Sequence, residues 1–225
     1  RQVEKFIQER GLPKEVLLFA GKGNNAGDGF CVGAILVTKG YSVIAYPIYP
    51  VEQFGALCRN MYENFCAQGG KIEFSLEKIR ERMNHGGLIL DALVGTGMKK
   101  SADNELASAI KIANCSKLPI LAIDIPSGLN GTTGEVRSIA IHATKTIYLE
   151  LAKTGFFLRD GWNHVGEIVR ASFGLPEDKV KASAYLLNLS SLKLPPIQRS
   201  WQKNQKGYVV AVAGSEITID DTYRA

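Results

Sequence analysis

Nowhere in the 225 residues do about 18 apolar residues run together, so no segment reads as a membrane-spanning helix. The four cysteines (Cys31, Cys58, Cys66, Cys115) form no C-x-x-C pair, and the three histidines (His85, His142, His164) are not close to them in sequence. Zinc needs tighter ligand spacing, so no zinc centre is expected. Each cysteine has apolar, periodic neighbours. They are expected to be buried free thiols of a reducing compartment, which places the protein in the cytoplasm. The chain opens with neither a methionine nor a signal-peptide pattern. It starts inside a helical pattern, so preceding sequence is expected.

What is present is ordinary for a globular protein. The apolar fraction of 45% and the charged fraction of 22% exclude a disordered or collagen-like chain. The net charge of +5 is unevenly spread: six basic and no acidic residues lie between Lys179 and Lys206, and the rest of the chain is close to neutral. Aromatic residues do not alternate with those charges as a base-stacking surface requires. The segment reads as a solvated linker, and neither nucleic acid nor a membrane is an expected partner.

Strand and helix patterns alternate. Val3, Phe6 and Ile7 form a helical stripe that ends at Gly11-Leu12-Pro13. Strands are predicted at Val16–Ala20, Ser42–Ile48, Leu88–Asp91, Pro119–Asp124, Thr144–Leu149 and Glu167–Ala171. Helices are predicted over Gly27–Thr38, Glu52–Ala67, Leu76–Met83 and Glu105–Ala113. Stacked βαβ units of this kind imply an α/β fold: a three-layer αβα sandwich around a Rossmann-like, mostly parallel sheet. Near residue 175 the pattern changes. Leu192–Gln198 reads as a linker, and Tyr208–Ser215 as the first strand and turn of another α/β domain.

Ligands of such sheets bind beyond the C-terminal ends of the strands. Three loops there carry unusual residues. Gly21–Gly29 (Gly-Lys-Gly-Asn-Asn-Ala-Gly-Asp-Gly) offers close backbone approach and free amides at a helix start, which suit phosphate. Asp28, however, puts a carboxylate there, and the strand ending near Ile48 has no acid to hold a ribose hydroxyl. An ordinary NAD-dependent oxidoreductase is therefore disfavoured. Asn24, Asn25 and Asp28 together suggest a hard cation or a hydroxyl-rich ligand. In Asp91-Ala-Leu-Val-Gly-Thr-Gly97, an acid ends a buried strand, which requires a partner or a ligand; it is alternatively a turn cap. Gly95-Thr96-Gly97 exposes further amides, followed by Lys99 and Lys100. In Asp124-Ile-Pro-Ser-Gly-Leu-Asn130, Pro126 stiffens the turn and Gly128 permits a positive φ. Ser127 resembles an exposed nucleophile, but the G-x-S-x-G elbow is absent and no histidine stands in a base-like motif, so a serine hydrolase is disfavoured.

These three segments, in this order and spacing, with Thr133-Gly134-Glu135 behind them, resemble the YjeF N-terminal domain family over residues 1–175. The resemblance implies an NAD(P)H-hydrate epimerase, an isomerase that interconverts the R and S forms of hydrated NADH and NADPH (NADHX, NADPHX). It also implies a potassium ion held by Asn25, Asp91 and Ser127. Implied substrate contacts are Asn24, Asn25, Ala26, Gly27, Asp28, Gly95, Thr96, Gly97, Met98, Lys99, Lys100, Ser101 and Asp124, and a homodimer is implied. Residues 176–206 would be a basic linker. Residues 207–225 resemble the opening of an ADP- or ATP-dependent NAD(P)HX dehydratase domain, which makes the longer protein a lyase as well. Within the same family, a non-catalytic dimerisation module, as found in an mRNA-decapping scaffold, is the alternative. The substrate carbon is a hemiaminal, so removing its hydroxyl proton opens the ring to an aldehyde that can rotate and reclose. One acid/base group is needed; Asp124 is expected to be catalytic, and Lys153 is a weaker candidate for a phosphate or proton role.

Overall fold

The computed structural model describes residues 1–96 and 102–174. In chain order the elements are α1 (Gln2–Glu9), β1 (Glu15–Ala20), α2 (Asn24–Thr38), β2 (Ser42–Pro47), α3 (Ala56–Ala67), β3 (Lys71–Ile72) and α4 (Leu76–Met83). They continue with β4 (Leu88–Ala92), α5 (Asn104–Cys115), β5 (Ile120–Ile123), β6 (Lys145–Leu149), α6 (Gly161–His164) and β7 (Glu167–Ala171). One sheet of seven strands runs in the order β3-β2-β1-β4-β5-β6-β7, and every pairing is parallel.

The central strands β1, β4 and β5 are almost continuous apolar runs because helices cover both faces of the sheet there. Alternation along β1 assigns the faces. Val16, Leu18 and Ala20 pack with α1, α2 and α3 through Phe6, Phe30 and Phe65. Leu17 and Phe19 pack with α4 and α5 through Ile79, Leu106 and Ile110. These are the three layers that the α/β alternation predicts. Gly29 in α2 sets the distance between helix and sheet: a Cβ there would lie 2.5 Å from the Ala92 methyl and 2.9 Å from Leu18 Cδ1.

The sequence pattern missed β3, whose two residues are too short to show a period. It also started α2 three residues late, because α2 opens on polar residues and glycine and its cap, Gly23, has no side chain to mark the start. The cysteine expectation is corrected: only Cys58 is buried, Cys31 is half-buried, and Cys66 and Cys115 are exposed, the last two at helix ends that face solvent. The predicted linker and the opening of a second domain, residues 176–225, lie outside the described residues. Among the described residues no helix is long and apolar enough to cross a membrane.

From β1 the chain builds outward through β2 and β3, then returns to place β4 on the other side of β1. This reversal opens a crevice above the C-terminal ends of β1 and β4, and it positions the three loops.

Candidate functional site

The crevice is built on a buried carboxylate. Asp91, in the last turn of β4, is fully buried. Its Oδ1 accepts from the Ser127 hydroxyl at 2.6 Å and from the Leu93 amide at 3.2 Å; its Oδ2 accepts from the Ser127 amide at 2.8 Å. Burial pushes its carboxyl up to about 6, against the lowering effect of the Ser127 and Leu93 hydrogen bonds. Asp91 is thus both a turn cap and a linchpin between two loops. Ser127 is buried too, and its hydroxyl accepts from the Val94 amide at 2.9 Å. Held this way it is a buried structural oxygen, not an exposed nucleophile.

Asn25, in the first turn of α2, is the third member. A Cβ on Gly95 would meet Asn25 Cβ at 3.3 Å, so this side chain lies directly against the second loop. Its Nδ2 is the one buried side-chain polar atom without a hydrogen-bond partner among the described residues. Turning the amide by half a rotation would present a carbonyl oxygen instead. A buried carboxylate with no ion pair among the described residues, a buried hydroxyl and, once turned, the Asn25 carbonyl form an all-oxygen donor set with a single charge. That set fits a monovalent hard cation. No cluster of three or more His, Cys, Asp or Glu side chains suited to a metal occurs among the described residues.

Above these groups lies a cleft of about 490 Å³, lined among others by Asn24, Asn25, Asp28, Tyr49, Thr96 and Asp124. A second cavity of about 400 Å³ shares Gly95 and Thr96 with it and adds Thr132, Arg137 and Lys153. A larger groove of about 820 Å³ runs between α4 and α5, close to the N-terminal ends of β4 and β5. Its cations, Arg80, Lys111 and Lys117, stand near two helix C-termini, where the helix dipole already favours them.

Asp124 enters the cleft from the tip of β5 with φ at 65°, in the left-handed region. Its amide donates to the Ile147 carbonyl at 2.9 Å, which fixes the backbone. Its Oδ1 accepts from the Leu149 amide at 3.2 Å and from Lys153 Nζ. Asp28 faces it from α2. Loss of water around Asp28, and then the Asp124 charge, push the Asp28 carboxyl above the usual carboxylate range, even though much of its side chain reaches solvent.

Of the expected site residues, Asn24, Asn25, Asp28, Gly95, Thr96 and Asp124 line the cleft. Asp91 and Ser127 do not line it; both are fully buried, and they hold the amides of Leu93 and Val94, which do line it. Ala26 and Gly27 do not line it. Ala26 is fully buried among core side chains, a Cβ on Gly27 would lie 3.4 Å from Cys58 Cα, and the Gly27 amide donates to the Gly23 carbonyl at 3.1 Å. Gly97, Met98, Lys99, Lys100 and Ser101 lie outside the described residues.

Two wall residues had no signal beyond their place after β1 and β2. The Tyr49 hydroxyl donates to Asp103 Oδ2 at 2.6 Å, and Lys22 Nζ stands 4.1 Å from the centre of its ring. Burial first, then Asp103, hold that hydroxyl well above its usual range, so it stays protonated. Arg137 is likewise a lining residue that no sequence pattern marked.

Comparison with known proteins agrees with this architecture. The crystal structure of yeast ynu0, YNL200c, superposes with a TM-score of 0.65 at 18% identity, covering 78% of this chain and 76% of that one. An NAD(P)H-hydrate epimerase of Lentilactobacillus buchneri is 35% identical over 179 residues, 76% of this chain and 79% of that protein. A bifunctional NAD(P)H-hydrate repair enzyme Nnr of Moorella thermoacetica is 30% identical over 223 residues, 95% of this chain. The chain spans only 42% of the length of that bifunctional relative. The profile described as YjeF-related protein N-terminus matches residues 1–155, which takes in all three loops and the whole crevice. On that match and on these relatives, the chain belongs to the YjeF-related N-terminal family.

Proposed function

We propose that this chain epimerises the R and S forms of NADHX and NADPHX, with Asp124 as the acid/base group. The observation that carries the reading is the Asp124 carboxylate. It projects into the cleft from a left-handed backbone position, with Oδ1 occupied by Leu149 and Lys153 and Oδ2 without a hydrogen bond among the described residues. Oδ2 is therefore the oxygen that takes the hydroxyl proton of the hemiaminal. The relatives named as epimerases support the same reaction.

The unpaired amides of the first turn of α2 suit the phosphates of the substrate. The apolar wall of Leu93 and Val94 excludes water on one side of the cleft. Asn25, Asp91 and Ser127 would hold potassium. Bound there, it supplies a fixed charge that neutralises Asp91 and organises the loops; a single charge is a weak Lewis acid. The longer protein would also dehydrate the S form with ADP or ATP in a further domain, and the epimerase domain would work as a homodimer; a relative named as a bifunctional NAD(P)H-hydrate repair enzyme supports a second activity.

The test is turnover of the isolated R epimer by Asp124→Asn, corrected for spontaneous epimerisation. Asparagine tolerates the left-handed backbone, so the fold is kept. A fall of roughly 10²–10⁴-fold in kcat is expected. Turnover near that of the wild type would remove Asp124 from the mechanism.

A further inference from the structure

Lys153 is not a free surface lysine. It caps the short 3-10 turn Thr154–Phe157, and its side chain is only 19% exposed. Its stem threads past Gly131, where a Cβ would stand 3.2 Å from Lys153 Cγ. The ammonium ends on Asp124 Oδ1 and also lines the cavity next to the main cleft, with Gly95 and Thr96. Asp124 is the carboxylate partner it has among the described residues.

Given the epimerase reading, on which this inference rests, the chemistry needs more than one base. When the carbon–nitrogen bond of the hemiaminal breaks, its electron pair goes to the ring nitrogen, and that nitrogen must gain a proton. A carboxylate that has just taken the hydroxyl proton faces the oxygen, not the nitrogen. We propose that Lys153 is the second proton-transfer group: its ammonium protonates the ring nitrogen as the ring opens and takes that proton back as the ring closes on the other face.

The step balances. On opening, the hydroxyl proton goes to Asp124 Oδ2, the O–H electrons form the aldehyde C=O, the C–N pair stays on nitrogen, and a proton from Lys153 makes it N–H. The open form carries a neutral carboxyl and a neutral amine beside it. Rotation about the bond to the aldehyde carbon presents its other face. On closing, nitrogen adds to the carbonyl, its proton returns to Lys153, and the new alkoxide takes the proton of Asp124. No proton or electron is gained or lost, and the Asp124–Lys153 pair is restored.

The full chain, saturated with potassium, is assayed on the isolated R epimer as wild type and as Lys153→Met, Lys153→Arg and Lys153→Ala. Arginine keeps the ion pair with Asp124, and with it the fold, but cannot give up its proton. Both Lys153→Met and Lys153→Arg are expected to lose roughly 10²–10⁴-fold in kcat with KM within a few-fold of wild type. Added ethylamine is expected to restore part of the rate of Lys153→Ala. Wild-type kcat in Lys153→Arg, or no response of Lys153→Ala to ethylamine, would overturn the proposal by showing that Lys153 only positions Asp124. A wild-type chain that does not interconvert the epimers refutes the parent reading and this one with it.

Discussion

Ser127 and Asp91 lie 36 residues apart and are joined twice, hydroxyl to Oδ1 at 2.6 Å and amide to Oδ2 at 2.8 Å. Both oxygens of a buried carboxylate thereby tie the loop after β5 to the end of β4. The site is held in shape by this pair before any substrate enters.

Asp91→Asn keeps the size of the side chain but puts a donor where Asp91 accepts. One of the two Ser127 bonds is lost at a fully buried position, which costs about 1–3 kcal/mol. Potassium is expected to raise the melting temperature of the wild type and to leave that of Asp91→Asn unchanged. An equal response of the two proteins to potassium, read in a thermal scan against a sodium control, would remove Asp91 from the cation site.

Gly29→Ala forces a methyl to 2.5 Å from the Ala92 methyl, on a strand that cannot move without its neighbours. Overpacking of this kind costs about 1–3 kcal/mol. Because α2 carries Asn25 and Asp28, the variant is expected to raise KM as well. Denaturant unfolding and steady-state kinetics on the same preparation check both effects.

His164 gives the fold an acid limit. Burial, with some help from His142 stacked 4.2 Å away, holds the imidazole below the usual histidine range; its bond to the Ile141 carbonyl and the charge of Asp160 pull the other way. The native state therefore binds fewer protons than the unfolded chain, whose histidines titrate near about 6.5. Stability is full above that value and falls as the pH drops below it. In His164→Asn the denaturation midpoint should fall less between pH 8 and pH 5.5 than in the wild type; an unchanged loss would contradict the assignment.

Glu150 anchors the end of the sheet. Its carboxylate accepts from Arg170 Nη2 at 2.7 Å, from the Ser172 hydroxyl at 2.8 Å and from the Phe173 and Gly174 amides at 2.6 and 2.7 Å. Glu150→Ala is expected to cost about 2 kcal/mol, much of it from the amides left without an acceptor. Hydrogen exchange should show faster opening of β7 and of the residues just after it, with β1 and β4 unchanged.

The layers were legible because strands such as Leu88–Ala92 are buried on both sides, and burial writes an unbroken apolar run. The three loops were legible because glycine, asparagine and aspartate clusters have few structural uses after a strand. The rest depended on the folded chain. Lys153 stood in the sequence only as a weaker candidate for a phosphate or proton role, since its partner Asp124 lies 29 residues away and the two meet only once β5 and β6 pair. Ala26 sits inside a motif of which Asn24, Asn25 and Asp28 line the cleft, yet helical rotation turns its methyl into the core. Tyr49 is one aromatic among eight tyrosines until the end of β2 brings it to the cleft wall.

The left-handed backbone at Asp124 limits what selection can try there. Glycine and asparagine fit the turn but hold no exchangeable carboxyl proton, while glutamate brings the acid with a longer arm and a less tolerant main chain. Under the proposed acid/base role, a single codon answers to two demands at once, one conformational and one chemical, and aspartate meets both.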